Sequence, residues 1–257
     1  EDGDGGKVVV CQPKTNSTLP SRRYIMKMRS KTSLEESGIP ETFRLAHHRL
    51  LNLPSHVGVL PVHEVLEDEQ YYYIVMERAE GGAFLPSLVG EFRDGIMPEA
   101  VVKQLMREIL EAVHHLHAQG MLHRDIKPDN LVMQWHPDAG DGQGKVKKVA
   151  LIDFDHADPE YSPMTPSRWC GFRGTVYFSA PDAILGDFSQ SSDVYSVGVI
   201  LYLLMTGHLP YSDWVFEPFF EQYEFRPTSA SSSAAAGVGV GRRRNWKGAV
   251  IQRMRAS

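Results

Sequence analysis

Hydrophobic and polar positions follow a strand-like spacing in the first third of the chain and a helical spacing in the middle. Short runs rich in β-branched and aromatic residues predict strands over 7–11, 23–28 and 70–77. Apolar residues at helical spacing predict one helix over 39–53, with Pro40 at its start, and another over 98–117, closed by Gly120. These elements together indicate an α+β fold.

The pattern in the second half predicts loops between short buried elements. A stretch rich in Gly and Asp over 137–144 is typical of an extended hairpin loop, and 149–152 predicts a short buried strand. Residues 171–180 resemble a loop, and 192–206 predict an apolar helix. The apolar run within that helix is too short for a bilayer span, so we expect a buried helix and no membrane span.

The polar segment 123–130 lies between two apolar runs and has the composition of a site for phosphoryl transfer. Asp125 can accept a hydroxyl proton, and Lys127 can neutralise a transferring phosphate. Asn130 can offer an oxygen to a divalent metal. A chance polar turn rarely contains all of these groups at this spacing, so we expect a catalytic loop.

A second acidic motif, 153–155, directly follows the predicted strand at 149–152. A carboxylate at the end of a buried strand is well placed to hold a metal ion, and we expect Asp153 to do so beside Asn130. Mg²⁺ prefers one or two carboxylates together with phosphate oxygens, which this pair of residues allows.

Two further motifs, 174–182 and 193–198, complete a resemblance to eukaryotic protein kinases. Together with 123–130 and 153–155, they are similar in order and spacing to the catalytic loop, the metal-binding segment, the substrate-positioning loop and the start of the central helix of the large lobe. The resemblance covers residues 3–211. It implies a bilobal fold with a small β-rich N-lobe and a larger helical C-lobe.

The resemblance also implies a nucleotide site that binds ATP with Mg²⁺. Gly3 and Gly6 resemble the end of a Gly-rich loop over the phosphates, and Lys27 resembles the strand lysine that contacts the α- and β-phosphates. The remaining positions would surround the adenine, by backbone hydrogen bonds from Glu77 and Ala79 and by apolar contacts from Val8, Met76 and Val132.

The chain departs from the kinase pattern at three positions. In the family, a helix glutamate pairs with the strand lysine, but the family spacing places no acid at that helix position in this chain. Either Glu41, one helical turn earlier, pairs with Lys27 or the ion pair is missing. Asp155 replaces a glycine, which could stiffen the metal-binding turn. Asp182 replaces a glutamate in a structural salt bridge.

Other residues resemble the serine/threonine-specific branch of the family. This likeness rests on Lys127, which lies two residues after Asp125, and on Thr175 in the substrate-positioning loop, called the substrate loop below. Arg124 is of the type that binds a phosphorylated activation loop. Candidate phosphorylation sites are Ser162, Thr165 and Thr175. The stretches around 180–182 and 207–211 are somewhat similar to the calcium/calmodulin-dependent group.

Composition narrows the protein class and the partners. The net charge of −5 does not favour nucleic acid or an anionic membrane, and only two cysteines are present, which favours a reducing compartment. We therefore expect an intracellular, cytoplasmic protein. The resemblance to protein kinases implies that its partners are ATP and a protein substrate bearing Ser or Thr. The composition leaves the oligomeric state open.

The chain divides into three predicted segments: an N-lobe over 1–79, a C-lobe over 80–225, and a tail over 226–257. The tail is low in complexity and then basic, and we expect it to be disordered, with nuclear import through its basic residues as an alternative to a solvated tail. Few residues remain for the last C-lobe helices, so a truncated C-lobe is one hypothesis. A pseudokinase or nucleotide-binding scaffold is the alternative to an active kinase.

Overall fold

A computed structural model describes residues 2–3, 6–12, 14, 23–93, 95–137, 145–164, 167–168, 172 and 174–216. The first part of the chain forms an antiparallel sheet in the order β1-β2-β3-β5-β4. The strands are β1 (Asp2–Gly3), β2 (Gly6–Cys11), β3 (Tyr24–Ser30), β4 (Val62–Glu67) and β5 (Tyr71–Glu77). The three strands predicted in this region are confirmed, and β1 and β4 are additional.

Two helices pack against this sheet where the sequence predicted one. They are α1 (Lys31–Glu36) and α2 (Pro40–Leu51). The Ser30 hydroxyl caps α1 by accepting from the backbone N–H of Ser33, and Pro40 starts α2 as predicted. A small apolar cluster of Leu34, Ile39, Phe43 and Ile74 joins both helices to β5. The apolar spacing missed α1 because only Leu34 of that helix is buried.

The second part of the chain is mainly helical, which confirms the α+β bilobal prediction. Its helices are α3 (Phe84–Glu91), α4 (Glu99–Ala118), α5 (Pro181–Ile184) and α6 (Gln190–Thr206). Two short antiparallel pairs accompany them: β6 (Leu131–Pro137) with β7 (Lys145–Leu151), and β8 (Ser167–Arg168) with β9 (Asp187–Phe188). The predicted loop at 137–144 thus joins two paired strands, although 138–144 lie outside the described residues.

Helices α4 and α6 contribute a large share of the main apolar core. Residues including Ile109, Val113, Leu116, Ile200 and Leu203 are almost fully buried there. A Ser189–Ser192 capping box begins α6, and Gly207, with φ of 70°, ends it. Several apolar side chains on the other side of α6 are exposed, among them Val194, Leu201 and Met205.

The end of β7 connects the small lobe to the large one. Leu151 donates its backbone N–H to Gly58 and accepts from Leu60, each within 3.1 Å. Gly58 packs so closely on α4 that a Cβ there would lie 2.6 Å from the Ala112 Cβ. The residues after Leu151 therefore emerge between the lobes, beside β3.

No described helix is long and apolar enough to cross a membrane. The predicted tail at 226–257 and the last part of the predicted C-lobe lie beyond residue 216, outside the described residues. The proposed segment boundaries therefore stay predictions.

Candidate active site

A buried carboxylate on α6 holds the backbone of the catalytic loop. Both Asp193 oxygens accept backbone N–H groups, from His123 and from Arg124, at 2.9 Å each, and His117 contacts the same carboxylate at 2.8 Å. Arg124 has a φ of 64°, a left-handed conformation that is uncommon for non-glycine residues. The two hydrogen bonds stabilise this turn, which directs the next side chain, Asp125, into the cleft.

Asp125 lies at the centre of a compact polar network. Lys127 Nζ donates to Asp125 Oδ2 at 2.7 Å and to Thr175 Oγ1 at 2.8 Å, while the Thr175 hydroxyl donates to Asp125 Oδ1 at 2.7 Å. The Asn130 amide nitrogen donates to the Asp125 backbone oxygen and to its Oδ2. The structure therefore brings together the predicted loop residues Asp125, Lys127 and Asn130, and adds Thr175 from the substrate loop.

Gly174 allows the substrate loop to approach the catalytic loop closely. Its φ is +113°, and a Cβ at this position would lie 2.6 Å from the Arg124 backbone oxygen. Only glycine avoids both the unfavourable backbone conformation and this clash. The position of the Thr175 hydroxyl against Asp125 depends on this close approach.

Lys27 lies across the cleft from the catalytic loop and binds the predicted metal ligand. Its Nζ is 2.7 Å from Asp153 Oδ1. Burial would lower the pKa of Lys27, but the nearby carboxylates of Asp155 and Asp153 raise it above its ordinary value. Burial would likewise raise the pKa of Asp153, but the Lys27 charge holds it below its usual range. Both groups are therefore charged at neutral pH.

A second acid, Asp155, binds two cations of β3. Its Oδ1 is 2.8 Å from Lys27 Nζ, and its Oδ2 is 2.9 Å from Arg29 Nε. The carboxylate is almost completely buried. Asp155 is not among the described non-glycine residues with positive φ, which are Arg124 and Asp153. The backbone at Asp155 therefore does not need the conformational freedom of glycine.

The prediction that Glu41 pairs with Lys27 is wrong. Glu41 lies in the first turn of α2 on its exposed side and forms an ion pair with Arg44 at 2.5 Å. The inward side of α2 carries apolar residues and His47. Because Phe43, His47 and Leu50 lie on the buried side of α2, the helical spacing places Glu41 on the opposite, exposed side. No carboxylate of α2 reaches Lys27.

The residues predicted to surround the nucleotide belong to one side of the sheet and the start of the C-lobe. In the register of the sheet, Lys27 on β3 is paired with Val8 on β2 and with Ile74 on β5. Met76 lies two residues after Ile74 on β5. These side chains share one face because directly opposed residues, and residues two apart, point the same way. Val132 bridges to Ala83 in the C-lobe.

Gly3 and Gly6, which we expect to cover the phosphates, lie on the adjacent strands β1 and β2. These two glycines pair at the end of the β1–β2 hairpin. A Cβ on Gly6 would lie 2.7 Å from the Met28 backbone oxygen, so a larger residue does not fit there. Glu77 ends β5, its backbone N–H donates to the Pro61 carbonyl, and Ala79 follows two residues later.

The side-chain oxygens of Asn130 and Asp153 suit Mg²⁺ bound together with phosphate. Both amide hydrogens of Asn130 donate to Asp125, which leaves its amide oxygen as the remaining acceptor. Asp153 is ionised, and its side chain is 36% exposed. Within the described part of the chain, no group of three or more His, Cys, Asp or Glu residues could hold a metal alone.

The residues predicted to bind a phosphate or to be phosphorylated lie in different environments. Arg124 is buried, its Nε donates to the His156 carbonyl at 2.6 Å, and its guanidinium lies 5.1 Å from the Phe188 ring centroid. The Ser162 hydroxyl accepts the backbone N–H of Met164. Thr165 lies outside the described residues. The Thr175 hydroxyl is engaged with Asp125 and Lys127, so it serves the catalytic network in this conformation.

Sequence reasoning missed the role of Asp155 and the participation of Arg29. The sequence pattern identifies Asp155 only as a replacement for glycine. One signal was available: Arg29 lies two residues after Lys27 on a strand, so both cations point to the same face and need an anion there. The pattern alone did not identify which acid supplies that charge.

Comparisons with known proteins agree with this geometry. The protein kinase domain family matches residues 2–226. Calcium-dependent protein kinase 4 of Plasmodium falciparum is 27% identical over 82% of this chain, and the match covers 37% of that protein. The calcium/calmodulin-dependent protein kinase type II alpha chain of Drosophila melanogaster is 32% identical over 62% of this chain and 28% of its own length.

A third relative extends the same picture. The probable serine/threonine-protein kinase HSL1 of Saccharomyces cerevisiae is 30% identical over 64% of this chain and 10% of its own length. The chain thus spans well under half of these curated relatives. The family match covers most of the chain. The chain therefore belongs to the protein kinase domain family.

Proposed function

We propose that this protein is an ATP-dependent serine/threonine protein kinase that transfers the γ-phosphate of ATP to a Ser or Thr hydroxyl of a protein substrate. The observation that carries the proposal is the network at Asp125, in which one buried carboxylate is held by Lys127, Asn130 and Thr175. Such a network orients a base towards a hydroxyl and places a cation beside the phosphate to be transferred.

Each residue has a distinct task in the proposed reaction. Asp125 accepts the proton of the attacking substrate hydroxyl, and Lys127 stabilises the charge on the transferring phosphate. Lys27 binds the α- and β-phosphates. Asn130 and Asp153 would hold Mg²⁺, which when bound neutralises phosphate charge. The proximity of Lys127 to Thr175 supports serine/threonine specificity, which the name of the Saccharomyces cerevisiae relative also states.

The remaining positions follow from the same proposal. Gly3 and Gly6 would cover the phosphates, Glu77 and Ala79 would bind adenine through their backbones, and Val8, Met76 and Val132 would contact its ring. A phosphate on Ser162 or Thr165 would provide an anion for Arg124 if the segment after His156 rearranged. We place the protein inside the cell, where ATP and protein substrates are available.

The substitution Asp125→Asn tests the proposal directly. Asparagine has nearly the same shape but cannot accept the proton, so kcat should fall by about 10²–10⁴-fold while MgATP binding is retained. Phosphate transfer to a Ser/Thr peptide library and MgATP binding by calorimetry would be measured on the same preparations. Asp129→Asn, an exposed acid in the same loop, is the matched control. Unchanged transfer by Asp125→Asn would refute the assignment.

A nucleotide-binding scaffold without turnover is a second candidate because Lys27 is already bound by two carboxylates. If these pairs persist, Lys27 is less available to phosphate. The unaltered protein distinguishes the two functions: a scaffold would bind MgATP and transfer no phosphate to any Ser/Thr peptide, whereas a kinase would do both.

A further inference from the structure

No acid of α2 pairs with Lys27, but Lys27 has carboxylate partners elsewhere in the chain. Three side chains of β3 and the metal-binding segment meet in the cleft: Lys27, Arg29 and Asp155. Asp155 contacts both cations with separate oxygens, at 2.8 Å and 2.9 Å. All three are largely buried, with side-chain exposures of 14%, 16% and 6%. Such a buried arrangement of charges is stable only because it is paired.

The helix position nearest this cluster is His47, which cannot replace an acid. Its Nδ1 lies 2.8 Å from the Phe43 carbonyl, and because a carbonyl only accepts, Nδ1 carries the hydrogen. Burial lowers the pKa of His47, so the ring is neutral and Nε2 has no proton to donate. Nε2 lies 3.8 Å from Asp155 Oδ1. Helix α2 thus supplies neither charge nor hydrogen bond to the pair.

We propose that Asp155 is the positioning residue for Lys27 in this kinase, replacing the helix acid that the fold otherwise uses. The inference rests on the proposed function, because Lys27 is held for the phosphates of ATP. Asp153 contacts Lys27 through Oδ1, whereas Asp155 contacts cations of β3 with both oxygens. If Asp153 held Mg²⁺ instead of Lys27, Asp155 would remain as the partner of the Lys27 ammonium and of Arg29.

Pairing with Asp155 changes which segment of the chain positions the Lys27 ammonium. A helix acid reaches the lysine only when the helix is close to the sheet. Asp155 lies two residues after Asp153, so the segment that binds the metal also positions Lys27. Lys27 is therefore aligned by the metal-binding segment itself, independently of the exact position of α2.

The first experiment measures Lys27 without any turnover. The nucleotide-free protein is treated with an amine-acylating reagent, and the rate of Lys27 modification is followed by mass spectrometry, with the exposed Lys103 as internal reference. Asp155→Asn should raise the Lys27 rate several-fold and leave Lys103 unchanged. Glu41→Gln, which removes the acid that the sequence suggested, should leave both rates unchanged.

The second experiment measures binding of MgATP to the same proteins by calorimetry. Losing one charge partner of Lys27 should weaken MgATP binding about tenfold in Asp155→Asn, and Glu41→Gln should bind as the unaltered protein does. The double variant His47→Glu with Asp155→Gly returns an acid to α2 and should recover most of both effects. Unchanged binding and acylation in Asp155→Asn overturn the inference, as does an equal effect of Glu41→Gln. Tighter MgATP binding also overturns it, because the contact would then be inhibitory.

A third measurement needs no variant and covers the case in which the substitutions fail to fold. In a crystal structure of the unaltered protein with Mg²⁺ and a non-hydrolysable ATP analogue, Lys27 Nζ should stay within ion-pair distance of Asp155 while Asp153 moves to the metal. Separation of Lys27 from Asp155 would overturn the inference. If Lys27 stayed paired with Asp155 but no phosphate transfer was detected, the proposed kinase activity would be refuted and the positioning role of Asp155 would stand.

Discussion

At the scale of single residues, hydrogen bonds from its neighbours hold the carboxylate of Asp125, the proposed base. Asp125 accepts from Lys127, Asn130 and Thr175, so neither of its oxygens turns freely. For a base, being fixed in this way before the reaction avoids a loss of side-chain freedom during it.

Removing the Thr175 hydroxyl should slow phosphate transfer. Thr175→Ala deletes a hydrogen bond to Asp125 and one from Lys127, and bonds to charged groups contribute about 1.5–3 kcal/mol, which corresponds to roughly a 10–100-fold lower kcat. Thr175→Ser keeps the hydroxyl and should retain most of the activity. Steady-state kinetics on a peptide substrate measure both. Equal rates for the alanine and serine variants would show that the hydroxyl does not matter.

At the scale of elements, α6 supports the catalytic loop through one buried acid. The backbone N–H groups of His123 and Arg124, and the ring of His117, converge on Asp193. A second buried acid, Glu108 on α4, binds Lys148 and the backbone N–H of Val149 and so joins α4 to β7. The two helices of the C-lobe core thus position the loop and the hairpin that carry the site.

Asp193→Ala should destabilise the whole domain. It leaves buried backbone donors without acceptors, which should lower the free energy of unfolding by about 2–5 kcal/mol. Urea denaturation followed by circular dichroism measures the change. Asp129→Ala, which removes an exposed acid from the same loop, should have little effect. A similar loss in both variants would contradict the anchoring role.

The neutral His47 on α2 makes stability depend on pH. Its pKa is lowered in the folded state by burial, so below about pH 6.5 the unfolded chain binds a proton that the folded chain does not. Stability should therefore be constant above that pH and fall as the pH decreases below it. For one group the slope is at most about 1.4 kcal/mol per pH unit.

His47→Gln should reduce this slope. Burial also lowers the pKa of His156, so part of the acid sensitivity should remain. Thermal unfolding between pH 5 and 8 measures both proteins. An identical pH dependence in the variant would mean that His47 is not the group responsible.

At the scale of the whole molecule, the site lies between the two lobes and takes residues from both. Lys27 and Arg29 come from the sheet, while Asp153 and Asp155 follow β7, whose end is hydrogen-bonded to Gly58 and Leu60. A ligand that contacts both sides should therefore stabilise the folded protein as a unit.

MgATP should raise the melting temperature of the unaltered protein more than ATP with a chelator does. The reason is that Asn130 and Asp153 would hold Mg²⁺ with the nucleotide, and at a ligand concentration 100 times Kd the stabilisation is about 2.7 kcal/mol. Differential scanning fluorimetry measures the shift. Asp153→Asn should lose the advantage of Mg²⁺ over the chelator. Equal shifts with and without Mg²⁺ in the unaltered protein would contradict the proposed metal site.

The sequence by itself determined the fold class, the order of the motifs and the loop that carries Asp125, Lys127 and Asn130. These are local patterns, in which the periodicity of apolar residues and the spacing of polar ones depend only on neighbours along the chain. The tertiary structure decided which acid meets Lys27. That choice depends on the side of α2 that faces the sheet and on the course of the chain after β7, and both result from packing between segments far apart in sequence. Glu41 faces solvent and Asp155 binds Lys27 for this reason.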